Sequence, residues 1–251
     1  MSAEILLLAA GAIAAGFVQG ISGFAFSMVA MSFWVWGIEP RVAAVMAVFG
    51  SLCGQLLAAF TVRRGLSLST LAPFLAGGLV GVPIGVALLP HLNPALFKLV
   101  LGLVLVVCCP AMLMAERIPR ITAGGRGADG LVGLVGGAMG GIGGFTGVVP
   151  SLWCTLRGYD KDLQRSVIQN FNLAALAVTM AGYVLSGAVT ADMLPHFAIV
   201  LPALVVPSLL GARVYRGLSP LAFRRVVLAL LSCAGLAMMA GSLPWLTGLL
   251  Q

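Results

Sequence analysis

Gly140-Gly141-Ile142-Gly143-Gly144-Phe145-Thr146-Gly147, followed by Pro150, lies in the middle of an apolar block running from Leu131 to Leu156. Glycine lets a backbone take up positive φ and lets another group approach closely, so this run predicts a break in the helix that contains it. Such a break frees N–H groups at one new end and C=O groups at the other. A second stretch, Gln19-Gly20-Ile21-Ser22-Gly23-Phe24, interrupts the apolar block from Ile5 to Trp36 in the same way.

Composition names the solvent around these breaks. Apolar residues make up 61 % of the 251 residues and charged residues 8 %, against about 25 % charged in a soluble domain. So few charges do not cover a water-facing surface, and lipid is the expected solvent. Lipid leaves only helical bundles or closed barrels, because every backbone polar group must be paired internally. The apolar runs are long and lack alternation, which selects helices. Further spans are predicted at Ala43–Thr61, Leu68–Leu89, Ala95–Met114, Val167–Leu185, Leu194–Ala212 and Phe223–Ser242. The first segment carries Glu4 and no positive start, so it reads as part of the fold and not as a cleaved leader.

The two glycine-broken blocks belong to two similar halves. A shift of 121 positions lays Gly16, Gly20, Ile21, Gly23 and Phe24 on Gly137, Gly141, Ile142, Gly144 and Phe145. Further on, Leu92-Asn93-Pro94-Ala95-Leu96-Phe97-Lys98 matches Leu218-Ser219-Pro220-Leu221-Ala222-Phe223-Arg224. The expected organisation is a first repeat over 1–115, a cytoplasmic linker over 116–130 holding Glu116, Arg117, Arg120, Arg126 and Asp129, and a second repeat over 131–251.

Charge orients the repeats. Arg63 and Arg64 follow the second segment of the first half, whereas the equivalent loop of the second half holds Asp192 and no Lys or Arg. Its neighbours carry Arg157, Lys161 and Arg165, then Arg213, Arg216, Arg224 and Arg225. Basic loops stay cytoplasmic, so corresponding loops fall on opposite sides, which is an inverted repeat. Leu131–Leu156 then enters and leaves on one side. About 26 residues at about 1.5 Å each do not cross a core of roughly 30 Å twice, so the block is expected to be a V of two half-helices. Ile5–Trp36 is its counterpart, entered from outside, and both termini lie outside. The expected fold class is an all-α integral membrane protein, an inverted repeat of two units, each a V-shaped re-entrant helix pair plus three transmembrane helices. A plain eight-helix bundle with a noisy charge bias is the alternative.

Freed backbone groups in a membrane are tolerated where they line a cavity, and a helix N-terminus favours an anion. Two breaks related by a pseudo-two-fold would meet at the midplane, the general layout of substrate sites in repeat-built transporters. The candidate substrate-binding residues are Gly20, Ser22, Gly23 and Phe24 at the first break and Gly141, Gly143, Gly144, Phe145 and Thr146 at the second. Ser51 and Gln55 join them from the helix after the first V, and Asn170 and Asn172, beside Gln169, from the helix after the second. These amides are costly against lipid, so they should face the bundle, for substrate or for interhelical hydrogen bonds. Close packing through small residues is the competing reading of the glycines.

Other residue types point to less. No acidic residue lies centrally in a span, which disfavours a midplane carboxylate relay, and His91 and His196 sit near ends. Trp34, Trp36, Trp153 and Trp245 read as interface anchors, with Trp153 close enough to the second break to wall it. Arg63, Arg64, Arg213 and Arg216 set topology and would also draw anions to a vestibule. Cys53, Cys108, Cys109, Cys154 and Cys233 form no CxxC and have no His or acid at ligand spacing, so no metal or cofactor is expected. The net charge of +7 is explained by helix ends, and no basic stretch with exposed aromatics suggests nucleic acid.

The Gly-x-x-x-Gly-Ile-x-Gly-Phe pattern of each half, the second-half Gly-Phe followed by Pro150, and Gly211-Ala212-Arg213…Leu218-Ser219-Pro220…Phe223-Arg224-Arg225 resemble the TauE/SafE sulfite exporter family. The resemblance covers essentially the whole chain. It implies export of sulfite or a small organosulfonate such as sulfoacetate, with Gly20–Phe24 and Gly141–Thr146 as the family's most recognisable segments. Ser22 stands where a fuller glycine run is common. The partners so implied are a small anionic substrate and the lipid bilayer, in a multi-pass protein of a bacterial inner membrane, and a homodimer is compatible. A channel or uniporter for another small anion or neutral solute is the alternative, and an intramembrane enzyme lacks an evident nucleophile–base pair.

Overall fold

The computed structural model describes the backbone of residues 3–61, 67–114, 120–214 and 220–249. Arg63, Arg64, Glu116, Arg117 and Arg216 lie outside the described residues, as does the side chain of Trp245. The described chain is helical, without a strand among the described residues. The helices are α1 (Ala3–Ser22), α2 (Phe26–Trp34), α3 (Pro40–Thr61), α4 (Leu68–Leu88), α5 (Pro94–Met114), α6 (Gly125–Gly143), α7 (Val148–Leu156), α8 (Lys161–Leu185), α9 (Leu194–Val214) and α10 (Pro220–Leu249). Six described helical stretches are long and apolar enough to cross a membrane: Ala3–Ser22, Pro40–Ala59, Leu68–His91, Pro94–Met114, Asp162–Leu185 and Ala191–Val214. Exposed Leu79, Val80, Ile84, Leu103, Val107 and Val206 make the outer surface apolar, as lipid requires.

Local chemistry starts several of these helices. Asp160 caps α8, its carboxylate accepting from Asp162 N at 3.1 Å and Leu163 N at 2.9 Å. Asn93 does the same for α5, accepting from Leu96 N at 2.8 Å, with Pro94 opening the helix. Residues 125–130, which lie within the span 116–130 expected as a linker, are helical. Glycine is a poor helix former in isolation, so tertiary packing decides here.

That packing is a pair of glycine stripes. A Cβ added to Gly77, Gly81 or Gly85 on α4 would lie 1.8, 2.0 or 2.1 Å from the carbonyl oxygens of Gly130, Leu134 and Ala138 on α6. From the other side, Gly133 and Gly137 meet the backbone of Phe74 and Gly78 at 2.1 and 2.4 Å. With no hydrophobic drive between helices in lipid, such backbone contact is the main source of association. The α1–α9 contact repeats it. Gly16 packs on Leu204, Gly20 on Ser208 and Gly211 on Phe17, as Gly137 packs on Gly78, Gly141 on Val82 and Gly85 on Ala138. Each α1 residue is 121 positions from its α6 counterpart, and each α4 residue 126 from its α9 counterpart.

The short helices double back. Trp34, at the end of α2, donates Nε1–H to Leu8 O at 3.1 Å, near the start of α1. Trp153 on α7 donates to Asp129 Oδ1 at 2.7 Å, near the start of α6. The arms are unequal: 20 and 9 residues in the first pair, 19 and 9 in the second. At about 1.5 Å per residue the long arms reach roughly 30 Å and the short ones roughly half of that. Each pair is therefore a long helix with a short return. The glycine breaks lie late in each block, because the break follows the positive-φ glycine and not the centre of hydropathy. Trp34 is also fully buried, in edge contact with Phe26 at 6.1 Å, so it belongs to the core and not to the interface. Trp36 is half exposed, with Lys98 Nζ 5.0 Å above its ring.

Two sets of polar contacts tie chain segments together. One joins Glu4 to His196 at 3.8 Å, Arg41 to the carbonyls of Gly187 and Ala188, and Lys98 to Trp36. The other joins Arg126 to Ser69 O at 3.4 Å, Arg157 to Thr122 O and Ala123 O at 3.3 and 3.2 Å, and Ile121 N to Leu156 O at 2.8 Å.

Candidate functional site

Both breaks turn at one glycine. Gly23 has φ +81° and Gly144 φ +80°, a left-handed conformation that a side chain makes costly. At the second break Gly144 N bonds Gly140 O at 2.7 Å and Phe145 N reaches Met139 O at 3.4 Å, the glycine-centred closure of a helix C-terminus. The chain then restarts as α7 at Val148.

The first break is bracketed by its own neighbours. Gln19 donates Nε2–H to Gly23 O at 3.3 Å and accepts from Phe26 N at 3.1 Å. Ser22 Oγ accepts from Phe24 N at 3.4 Å and Ala25 N at 3.2 Å. Gln55, reaching in from α3, also donates to Gly23 O, at 2.6 Å. Gly23 O and the N–H groups of Phe24, Ala25 and Phe26 are thus paired by three side chains. Replacing Gln19 by methionine should leave buried Phe26 N without its acceptor and cost about 1–3 kcal/mol. The readout is the Tm of detergent-purified protein. An unchanged Tm would mean that this side chain does not hold the turn.

The two breaks come together through α2 and α8. A Cβ at Gly144 would lie 2.4 Å from Ser27 Oγ on α2 and 3.4 Å from Val48 Cα on α3, and one at Gly143 would lie 3.1 Å from Met31 Cε. Ser27 Oγ is fixed by Ser51 Oγ at 2.6 Å and by Ala47 O at 3.3 Å. On α8, Gln169 Nε2 is the atom nearest to a Cβ at Gly23, at 3.9 Å, while the Asn172 amide lies 2.7 Å from a Cβ at Gly147. Gln169 and Asn172 are one helical turn apart, on one face. A single helix face therefore lies beside both breaks.

The result is a buried polar cluster between apolar helices. Gln19, Ser27, Ser51, Gln55, Thr146, Ser151, Gln169 and Asn172 are all buried. Three of their atoms, Gln169 Oε1, Asn172 Oδ1 and Ser151 Oγ, have no hydrogen-bond partner among the described residues. A buried polar atom normally has one.

The sequence-predicted residues are placed as follows. Ser22, Gly23 and Phe24 form the first turn, and Gly143, Gly144, Phe145 and Thr146 the second. Ser51 and Gln55 adjoin them as described, and Asn172 faces Gly147. Gly20 and Gly141 lie one turn back, against Ser208 of α9 and the Val82–Val86 backbone of α4, and Gly141 O accepts from the Tyr183 hydroxyl at 2.8 Å. Asn170 points along its own helix, donating to Ser166 O at 2.9 Å. Trp153 binds Asp129. Sequence reading did not single out Gln19, Ser27, Ser151, Gln169 and Tyr183 as site residues. An amide in an apolar helix was the available signal for Gln19 and Gln169, whereas Tyr183 and the serines carry none.

A helical bundle with an apolar exterior and, among the described residues, six helices able to cross a bilayer points to a multi-pass membrane protein, with a polar cluster buried near its two helix breaks. The family model described as sulfite exporter TauE/SafE matches residues 7–238, and the chain belongs to that family of membrane transporters. Comparison with curated proteins and with solved structures returned no match.

Proposed function

We propose that this chain exports a small sulfur oxyanion, sulfite or an organosulfonate such as sulfoacetate, bound between the Gly23 and Gly144 breaks. The observation that carries the reading is the pair Gln169 and Asn172, buried on one face of α8, one beside each break, with oxygens that lack partners among the described residues. Neutral amides and hydroxyls hold an oxyanion without a fixed charge, and the weak grip suits release. Ser22, Gly23, Phe24, Ser51, Gln55, Gly143, Gly144, Phe145, Thr146 and Asn172 would line the site, with Gly20, Gly141 and Asn170 shaping it from one turn away.

The architecture in this reading is an inverted repeat of α1–α5 and α6–α10, with α1–α2 and α6–α7 as re-entrant pairs from opposite faces. It is supported by the matching contacts at offsets of 121 and 126, and by the two polar sets, which gather Glu4, Arg41, Lys98 and His196 in one and Ser69, Arg126 and Arg157 in the other. Each set holds two Lys or Arg, but Arg120, Lys161 and Arg165 adjoin the second in sequence, so the positive-inside rule favours it as the cytoplasmic one, in a bacterial inner membrane.

Proteoliposome flux tests the function with a panel of sulfite, sulfoacetate, sulfate, thiosulfate and taurine. Sulfite or sulfoacetate should move fastest, and Asn172→Leu should slow either by about tenfold, the effect of one lost buried hydrogen bond. Equal flux of every solute, or none of any sulfur oxyanion, would overturn the reading.

A further inference from the structure

Gln169 and Asn172 do more than mark a site, for their chemistry restricts the ligand. A primary amide presents donors on nitrogen and an acceptor on oxygen, and which end points where is interchangeable by a flip. Either way, each of these buried side chains brings an acceptor that nothing among the described residues satisfies. The Ser151 hydroxyl, one turn beyond Gly147 on α7, brings another polar atom in the same state. A fully deprotonated oxyanion only accepts hydrogen bonds. It would use the amide nitrogens and leave both carbonyl oxygens unmatched. A singly protonated oxyanion accepts through its S–O oxygens and donates its single O–H to one of these carbonyl oxygens, so it leaves one buried acceptor fewer unmatched.

Charge points the same way. The charged residues of the helices around the cluster are Arg41 at the start of α3, next to Glu39, Arg126 and Asp129 in the first turns of α6, Arg157 after α7, and Lys161, Asp162 and Arg165 in the first two turns of α8. Arg41, Arg126, Asp129 and Arg157 are engaged with Gly187 and Ala188, Ser69, Trp153, and Thr122 and Ala123 respectively. The neighbouring α1, α4 and α9 add Glu4, His196 and Arg213 near their ends, and α2 adds none. The other titratable groups of these helices are Cys53, Cys154 and Tyr183, the last bound to Gly141 O. Among the described residues no cation is hydrogen-bonded or ion-paired to the cluster to offset a double negative charge, and the desolvation penalty grows steeply with charge.

We propose, resting on the transport reading above, that the site takes the singly protonated, singly charged form of its oxyanion, hydrogensulfite in place of sulfite, so that a proton crosses on the substrate. The proton stays on its oxygen throughout and no group on the protein exchanges it.

The test is binding to the full chain in nanodiscs, with total sulfite and with methanesulfonate, across pH values on both sides of neutrality, where hydrogensulfite ionises. Methanesulfonate keeps one charge throughout and carries no O–H, so it reports any titration of the protein itself. Sulfite affinity should be constant at low pH and fall about tenfold per pH unit once hydrogensulfite ionises, while methanesulfonate stays flat. Gln169→Met should weaken hydrogensulfite by about tenfold and methanesulfonate much less. Should that variant not fold, the wild-type pH profile decides alone. Sulfite binding that is flat or tightens with pH would overturn the proposal and leave sulfur-oxyanion transport standing. Parallel weakening of both ligands would overturn it too, by assigning the titration to the protein. No binding of either at any pH would overturn both this inference and the transport reading.

Discussion

Gly81→Leu is expected to leave little folded protein. The substitution raises hydropathy and helix propensity, so every local rule favours it. Its Cβ would nevertheless lie 2.0 Å from Leu134 O and 2.8 Å from Ala138 N, both backbone atoms of α6. No rotamer change relieves contact with a backbone, so α4 and α6 must separate along the stripe formed by Gly77, Gly81 and Gly85. Overpacking costs about 1–3 kcal/mol where side chains can yield. Here they cannot, and the loss should exceed that range, most of the stability of a marginal fold. Thermal unfolding in detergent and the yield of monodisperse protein are the measurements. Gly127→Ala is the matched control, because a Cβ there meets nothing within 4 Å. It should be neutral. Equal behaviour of the two variants would show that the stripe does not hold the helices.

The second large effect is expected at the break itself. Gly144→Ala forces a side chain into φ +80°, at about 1–2 kcal/mol. It also drives a Cβ to 2.4 Å from Ser27 Oγ, a hydroxyl already committed to Ser51 and Ala47. Gly23→Ala meets the same backbone strain at φ +81°, but its Cβ comes no nearer than 3.9 Å to Gln169. Both variants should therefore lose stability through the shared backbone strain, Gly144→Ala the more because of its clash, and they should differ in flux. Gly144→Ala should fall by more than tenfold, because Ser27 and the α2–α3 contact must move, a displacement worth at least about 1.4 kcal/mol. Gly23→Ala should fall only a few-fold. If both lose flux equally at equal Tm, backbone strain alone accounts for the loss, and the contact between Gly144 and Ser27 has no functional part.

Much of this molecule is legible in one dimension because lipid is an unforgiving solvent. A chain 61 % apolar with 8 % charge has few alternatives to helices. Predicted spans such as Leu68–Leu89 and Ala95–Met114 agree within a residue or so with α4 and α5, since hydropathy and proline or asparagine caps act locally. The glycine breaks were also legible, because Gly23 and Gly144 need only their own φ to end a helix.

What sequence did not reveal is the division of labour among the glycines. Gly20 and Gly23 look alike in the motif, as do Gly141 and Gly144. Yet Gly20 and Gly141 serve close contact with α9 and α4, while Gly23 and Gly144 turn the chain. That distinction depends on which backbone lies opposite, and the opposite backbone comes from residues far away in sequence. The early start of α6 has the same origin, as does the burial of Trp34, whose indole finds Leu8 O only after α2 folds back. The amides divide likewise: Gln19 is consumed by its own turn, whereas Gln169 keeps an oxygen unmatched. Sequence alone determined a helical membrane protein with two glycine breaks, because solvent and φ act residue by residue. The tertiary structure decided which glycines pack, which turn, and which buried polar atoms find no partner among the described residues, because those roles belong to pairs of residues that only the fold brings together.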